Sequence, residues 1–530
     1  MKKIIPLLLC GLIILSGCGD GPKPSVSGDP ADVTLPSVDQ SFADITLPTS
    51  DPEVEPLPPT EEYVYRVPTY SYAEPSGWSR LFECESGTVI SGTIGDDRED
   101  YSGSGYLTTD GSNAVLTLTV EIPAPQHYNI TVRAAADQPA SGSFWADGGF
   151  TPKTFALTAD GGYETLRYDN VYLPAGEITL IFGSFSGTVD LDCILFEESE
   201  EIETLNYTVS GGLSNQNSSD SAKALYDCIL SNYGKKVLSG QQCSQGSNAE
   251  IDAIYDALGR YPAIRFGELS GYSDGEDTGD IELAIEWAEA GGIVGYSWYW
   301  LMNNSVYLGS GFELKNAVTD LDIASMDGGA LSQRFQDGDI TAETLLVIDG
   351  IDLVAAQLKR LCELDIPVIF RPLPEAGNGV FWWGSDPESY LWLYKLIYDR
   401  LDFFHGLDNL IWVYNGQSAE FYPGDDKCDL ISLDLYYPDG EDLTQSGINF
   451  LLAARGISTE KPIALSECGA LPLPDNLSKD KCLWSYCSVW SGDYAETDGV
   501  LSEKYISRGA WRDFYSCDIV VTRDEIEYVR

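Results

Sequence analysis

Histidine is almost missing: the 530 residues contain two, His127 and His405. A histidine-ligated metal centre or a Ser-His-Asp triad needs imidazole converging with its partners on one site. Two residues so far apart, the second in "DFFHGLDN" ahead of a strand instead of after one, nearly exclude both. Basic residues are scarce too. Lys and Arg number 31 against 83 Asp and Glu, a formal net charge of −52. Nucleic acid and anionic membrane surfaces would be repelled, which leaves neutral or cationic ligands as partners. No Gly-rich phosphate loop follows any strand-like run, and the cysteines lack the paired spacing of a zinc site.

The most apolar run is the N-terminal "MKKIIPLLLCGLIILSGC", too short to span a bilayer comfortably and preceded by Lys2 and Lys3, as in an export signal. Its end, Leu15-Ser16-Gly17-Cys18, resembles a bacterial lipobox, which implies cleavage before Cys18 and a lipid on that thiol, hence a chain anchored to the membrane and facing outside the cytoplasm; a monomer is expected. Of twelve cysteines Cys10 leaves with the signal and Cys18 carries the lipid. The other ten are in a compartment that permits disulfides, with no pairing fixed by sequence.

What is present divides the chain into zones. From residue 19 to 77 Pro, Asp, Ser and Thr dominate, with the near repeat "ADVTLPS" and "ADITLPT", a composition that reads as an extended linker able to reach on the order of 100 Å. Residues 78 to 200 alternate short apolar runs ("AVLTLTVEI", "HYNITVRAAA", "GEITLIFG", "VDLDCILFE") with Gly, Asp and Pro turns, the pattern of an antiparallel sandwich. From 205 to 530 eight apolar runs ("KVLSGQQ", "YPAIRFGEL", "GGIVGYSWYW", "IPVIFRPLPE", "NLIWVYNG", "DLISLDLY", "KPIALSECG", "CSVWSGDY") alternate with amphipathic stretches such as "DLVAAQLKRLCEL". The fold class expected is therefore α/β, a (β/α)8 TIM barrel catalytic domain preceded by an all-β, jelly-roll-like sandwich; an open, doubly wound sheet is the alternative.

In a barrel the chemistry sits where strands end at the C-terminal rim. Glu375 ends the fourth run and Glu467 the seventh, so two carboxyls face each other across the barrel mouth, as a retaining glycosidase requires. Trp298, Trp382, Trp383 and Trp490 lie near them in sequence; flat faces suit sugar rings, and the same residues equally suit packing of barrel against helix.

Two resemblances sharpen this reading. "FECESGTVISG", "YSGSGYL", "VYLPAGEITLIF" and "VDLDCILF" resemble, in order, carbohydrate-binding modules of the family 35 and family 6 type. That resemblance implies a structural Ca²⁺ held by Glu83, Glu85 and Asp192, with Tyr163 where the family often has Trp. The motifs "LSGQQ", "GGIVGYSWYW", "RPLPEAGNGVFWWG", "FYPGDDKCDLISLDLYY" and "KPIALSECG" resemble glycoside hydrolase family 26, dominated by endo-β-1,4-mannanases. It implies Glu375 as acid/base, Glu467 as nucleophile, Arg371 preceding the acid/base, Tyr436 bonded to the nucleophile and Trp490 as a sugar platform, with no catalytic cofactor and a β-mannan substrate. Three positions depart from it. Pro374 replaces a His beside the acid/base, Tyr299 replaces a second His, and Val380 replaces a Trp five residues beyond the acid/base. The ring of Pro374 is expected to hold Leu373 extended. Another β-glycan, xylan or mixed-linkage glucan, and a binding protein that has lost activity are the other readings.

Overall fold

The computed structural model of the chain describes residues 63–109, 114–147, 150–437 and 444–528. The export segment, Cys18 and residues 19–62 of the linker tract lie outside them. The short apolar runs after residue 78 form two antiparallel sheets. One has the order Thr93–Gly95, Tyr106–Thr108, Asp190–Glu198, Gln126–Ala135, Tyr163–Leu173, with Ser79–Glu83 also on Asp190–Glu198. The other has the order Thr88–Val89, Ala114–Ile122, Gly176–Ser186, Ala140–Asp147, Phe150–Leu157. Period-two alternation decides what they bury: in Gly176–Ser186, Ile178, Leu180 and Phe182 are buried while Glu177, Thr179 and Ile181 are not. These residues join Val132, Phe144 and Leu191 in one core.

Beyond residue 205 all eight apolar runs are strands: β1 (Val237–Gln242), β2 (Ile264–Glu268), β3 (Ile293–Trp298), β4 (Val368–Pro372), β5 (Leu410–Tyr414), β6 (Leu430–Leu435), β7 (Ile463–Cys468) and β8 (Tyr486–Val489). They are parallel, and β1 pairs with both β2 and β8, so the sheet closes and the open alternative falls. A two-residue strand, β9 (Val520–Val521), pairs with the start of β1.

Alternation along the barrel strands builds two layers inside it. Leu238, Ile264, Ile293, Ile369, Ile411, Leu430 and Ala464 form a cluster with Leu225 and Ile229 of the helix α1 (Asp220–Asn232), an apolar plug at the N-terminal end. Further along the same strands and in the same parity stand Gln242, Ser297, Arg371, Asn415 and Asp434, all buried. The polar layer is thus carried on an apolar one. Outside, the helix α2 (Ala342–Glu363) starts at Thr341, whose hydroxyl accepts from Thr344 N–H at 3.0 Å, and buries Val347, Ile351, Val354, Leu358 and Leu361 at helical spacing.

Residues 64–77, which composition assigns to the linker, form a strap over both domains. Tyr65 N–H donates to Ser516 O at 2.9 Å and its hydroxyl to Asp475 at 2.7 Å, while Ala73 N–H donates to Pro125 O at 2.9 Å. Tyr72 is the centre of the strap: it donates to Lys479 O at 2.7 Å, lies parallel to His127 at 5.9 Å, and carries the Lys481 ammonium 4.2 Å from its ring centroid. Composition misled here because three tyrosines (65, 70, 72) are enough to anchor a segment otherwise too polar to fold. The sandwich also bonds the barrel directly, through Asn170 to Asn449 at 2.8 Å. Tyr72→Ala is expected to lower the stability of the full chain by about 2 kcal/mol, read as a fall in urea midpoint at constant slope; an unchanged midpoint would mean the strap is draped, not anchored.

Candidate active site

Strand β4 ends at Pro372, and Glu375 stands three residues beyond it instead of at the strand end as expected. The connection is strained. Leu373 and Glu375, on either side of Pro374, both have positive φ, 52° and 56°, so Leu373 is left-handed and not extended. The surroundings hold it there: Leu373 is buried, its N–H donates to Trp298 O at 3.2 Å, Trp383 Nε1 donates to Pro374 O at 2.8 Å, and Glu375 N–H donates to Asn415 O at the end of β5 at 2.7 Å. Strain fixed by this many neighbours is a common way of aiming a functional side chain.

Glu467 is aimed differently. Ala464 and Ser466 point inward by parity, which should turn Glu467 outward. Pairing with β6 slips by one residue between Leu433–Leu465 and Asp434–Glu467, a bulge at Ser466 that sets Glu467 beside Asp434 on the inner face. There Arg371 binds both acids, donating to the two oxygens of Asp434 at 3.0 and 3.1 Å and to Glu467 Oε1. Its remaining N–H groups reach Ser297 Oγ at 3.0 and 3.2 Å. The guanidinium is fully buried.

Glu467 also takes two phenols. Tyr299 donates to Oε1 at 2.6 Å and Tyr436 to Oε2 at 3.2 Å. Burial, then the charge of Glu467, raises both phenols well above the usual tyrosine range, so both stay donors. Oxygens of Glu375, Asp434 and Glu467 lie within 4.8 Å of one another, and the guanidinium of Arg371 binds the latter two. Burial, and next the neighbouring Glu467, raise Glu375 to about 7, while Asn378 donates to its Oε2 at 3.0 Å. Asp434 is raised by the same two causes against the pull of Arg371.

The tryptophans divide. Trp298, Trp382 and Trp383 are fully buried, so none offers a face to a sugar. Trp298 stacks on Trp300 at 4.3 Å, Trp382 donates to Trp300 O at 2.7 Å, and Trp383 buttresses Pro374. They shape the rim from beneath. Trp490 is half-buried and meets Tyr299 edge-on at 5.8 Å. Sequence reading passed over Asp434, although it lies two residues before Tyr436 with inward parity. It also passed over Glu268, which ends β2 as a rim carboxyl and whose Oε1 accepts from Leu269, Ser270 and Tyr299 N–H groups at 2.9 to 3.0 Å. Burial lifts Glu268 to about 7 as well.

The sequence pattern of glycosyl hydrolase family 26 matches residues 214–525, the whole barrel. The chain belongs to glycosyl hydrolase family 26. As a family member it is a glycoside hydrolase, and its relatives extend beyond the barrel. A mannan endo-1,4-β-mannosidase of Thermothelomyces thermophilus is 34% identical over 468 residues, 86% of this chain and 92% of that one. Mannan endo-1,4-β-mannosidase B of Piromyces sp. is 27% identical over 84% of this chain and 77% of its own length. Among solved structures, a Podospora anserina GH26-CBM35 β-(1,4)-mannanase superposes with a TM-score of 0.57 at 29% identity, covering 85% of this chain and 99% of its own. A ruminal GH26 endo-β-1,4-mannanase also gives 0.57, at 25% identity over 86% of this chain and all of its own.

The raised carboxyl of Glu375, expected from the family resemblance to be the general acid, fixes a pH prediction for this family 26 enzyme. A general acid must be protonated, so kcat/KM on a substrate with a poor leaving group should fall about tenfold per pH unit as pH rises through about 7. Glu268→Gln, which removes the other rim carboxyl lifted to that range, should leave this limb in place. Loss of the limb in that variant would transfer it to Glu268.

Proposed function

We propose that the chain is a retaining endo-β-1,4-mannanase. The observation that carries this reading is the short gap between the carboxyls of Glu375 and Glu467, whose oxygens lie within 4.8 Å. Double displacement needs about 5 to 5.5 Å between the two carboxyls, whereas inversion leaves room for a water between them. In the first step Glu467 attacks the anomeric carbon as Glu375 protonates the departing glycosidic oxygen, giving a glycosyl ester on Glu467. In the second, Glu375 takes a proton from water, and that water displaces the ester. Oε1, held by Arg371 and Tyr299, suits the ester carbonyl, and Oε2, with one bond at 3.2 Å from Tyr436, is freer to attack. Mannan is the substrate that the relatives support. Another β-glycan stays in view because Tyr299 spends its hydroxyl on the nucleophile where the family resemblance leads one to expect an imidazole, and Pro374 has no side-chain donor.

NMR of the first-released anomer should show β product, and an initial α product would overturn retention. Reducing-end assays on linear mannan, galactomannan, glucomannan, mixed-linkage glucan and xylan should rank a mannan first. Glu467→Ala should abolish turnover. Glu375→Ala should cost roughly 10² to 10⁴ on mannan and least on a dinitrophenyl glycoside; equal losses would remove Glu375 from the acid role.

For the sandwich we infer a carbohydrate-binding module stabilised by Ca²⁺. Glu83 and the fully buried Asp192 lie together with Cys193 within 4.8 Å, and Glu85 stands outside that group. It is nonetheless near, since a Cβ on Gly103 would collide with both Glu85 Oε1 and Glu83 Cδ. Glu85 Oε2 is buried without a hydrogen-bond partner, an acceptor suited to a hard cation. Arg133 binds Asp192 and opposes a second cation there. Glu83, Glu85 and Asp192 fit Ca²⁺ as oxygen ligands. Millimolar Ca²⁺ should raise the Tm of the full chain relative to excess chelator, and equal Tm values would dismiss the site.

A further inference from the structure

Between β3 and α2 the chain makes a long excursion, and its first part folds back as a narrow ribbon. Met302 and Ser305 exchange backbone hydrogen bonds at 2.9 and 3.2 Å across Asn303 and Asn304, both left-handed at φ 53° and 58°. The returning residues then pair with the segment that follows the acid/base. Trp382 N–H donates to Val306 O at 3.0 Å, Leu308 N–H donates to Val380 O at 2.9 Å, and Tyr307 is bridged to Phe381.

This pairing sets Tyr307 at the open end of a stack of rings. Tyr307 lies over Phe381 at 5.7 Å and 13°, and Phe381 lies over Trp383 at 4.7 Å and 4°. Tyr299, the donor to Glu467, meets Phe381 at 5.6 Å. Phe381 and Trp383 are buried, but Tyr307 is 48% exposed and so is Leu308 beside it. A second chain of rings leaves the site from Tyr436 through Tyr494 to Tyr505 and ends differently, since the Lys504 ammonium sits 5.1 Å from the Tyr505 centroid. Single exposed apolar residues need no explanation. Tyr307 differs in being locked by backbone pairing and stacking to the segment that carries the acid.

We propose that Tyr307 is a sugar-stacking platform on the leaving-group side of the cleaved bond, taking the apolar face of a pyranose in a β-linked glycan. The inference rests on the glycanase reading above. Its direction follows from chemistry: Glu375 protonates the departing oxygen, so the segment after Glu375 borders the departing sugar, and the ribbon is tied to that segment. Val380, which stands where the family resemblance places a tryptophan, is the residue that Leu308 pairs with. The ring that the fold does not place at 380 is supplied from across the ribbon. Because Phe381 and the backbone already hold Tyr307, binding costs little side-chain entropy.

The test compares wild type, Tyr307→Ala and Tyr307→Phe on two substrates built from the glycan that the wild type cleaves fastest in the panel above. One is an oligosaccharide long enough to occupy the leaving-group side. The other is a dinitrophenyl glycoside with no sugar there. Tyr307→Ala should raise KM on the oligosaccharide about five- to tenfold with little change in kcat. On the aryl glycoside the loss should be under about twofold, the level of an effect without a stacking contact. Tyr307→Phe, which keeps the ring, should restore the oligosaccharide KM. Equal losses on both substrates would make Tyr307 a packing residue, and no loss on either would remove it from sugar contact; both overturn the proposal. A wild type that prefers a glycan other than mannan corrects the substrate and leaves this comparison standing.

Discussion

One buried cation organises the barrel mouth. Arg371 is shut away from water inside the barrel and faces Asp434 and Glu467. Taking a guanidinium out of water costs several kcal/mol, recovered only if acceptors surround it in good geometry. Ser297, Asn415, Asp434 and Glu467 are those acceptors, contributed by β3, by the end of β5, by β6 and by β7. The arrangement therefore ties four strands to the fourth through one side chain. Glu375 is not among the acceptors of Arg371, and burial together with the charge of Glu467 outweighs the pull of that guanidinium, so Glu375 keeps its proton at a pH where an exposed carboxyl would have lost it.

The phenols complete that arrangement. A carboxylate has about four acceptor positions, and Glu467 fills three of them with Arg371, Tyr299 and Tyr436. A phenol raised far above neutrality by burial donates at every working pH, whereas an imidazole in the same place would change charge between pH 5 and 8. The replacement at Tyr299 thus exchanges a titrating neighbour for a constant one.

The layout was legible in the sequence because it rests on periodicity. Eight apolar runs became eight strands, and parity along them explains why Ile369 faces the apolar plug and Arg371 the site. What escaped has physical reasons. Residue type alone cannot tell a tryptophan that stacks on sugar from one that supports a loop, so Trp298, Trp382 and Trp383 stayed candidates for both roles, and all three are buried. Proline's local preference was overridden at Leu373, whose neighbours impose a positive φ. The strap over residues 64–77 was hidden because a few tyrosines outweigh a polar composition only when a partner surface exists for them. Glu268 obeyed the strand-end rule that found Glu375 and Glu467, and Asp434 has the inward parity of Arg371, so applying both rules to every strand would have included them.

The bulge at Ser466 has a further meaning for anyone reshaping this barrel. Glu467, the proposed nucleophile, is out of phase with its own strand: by strict alternation residue 467 belongs among the apolar side chains between strand and helices, and the slipped pairing with β6 brings it inside. A redesign that regularised β7, as a search for ideal geometry would, could leave every strand in place and the fold intact to spectroscopy. It would also have moved one of the two carboxylates that the proposed mechanism needs into the wall. On the proposed mechanism, irregularity in this strand is function, and straightening it would erase the enzyme while keeping the protein.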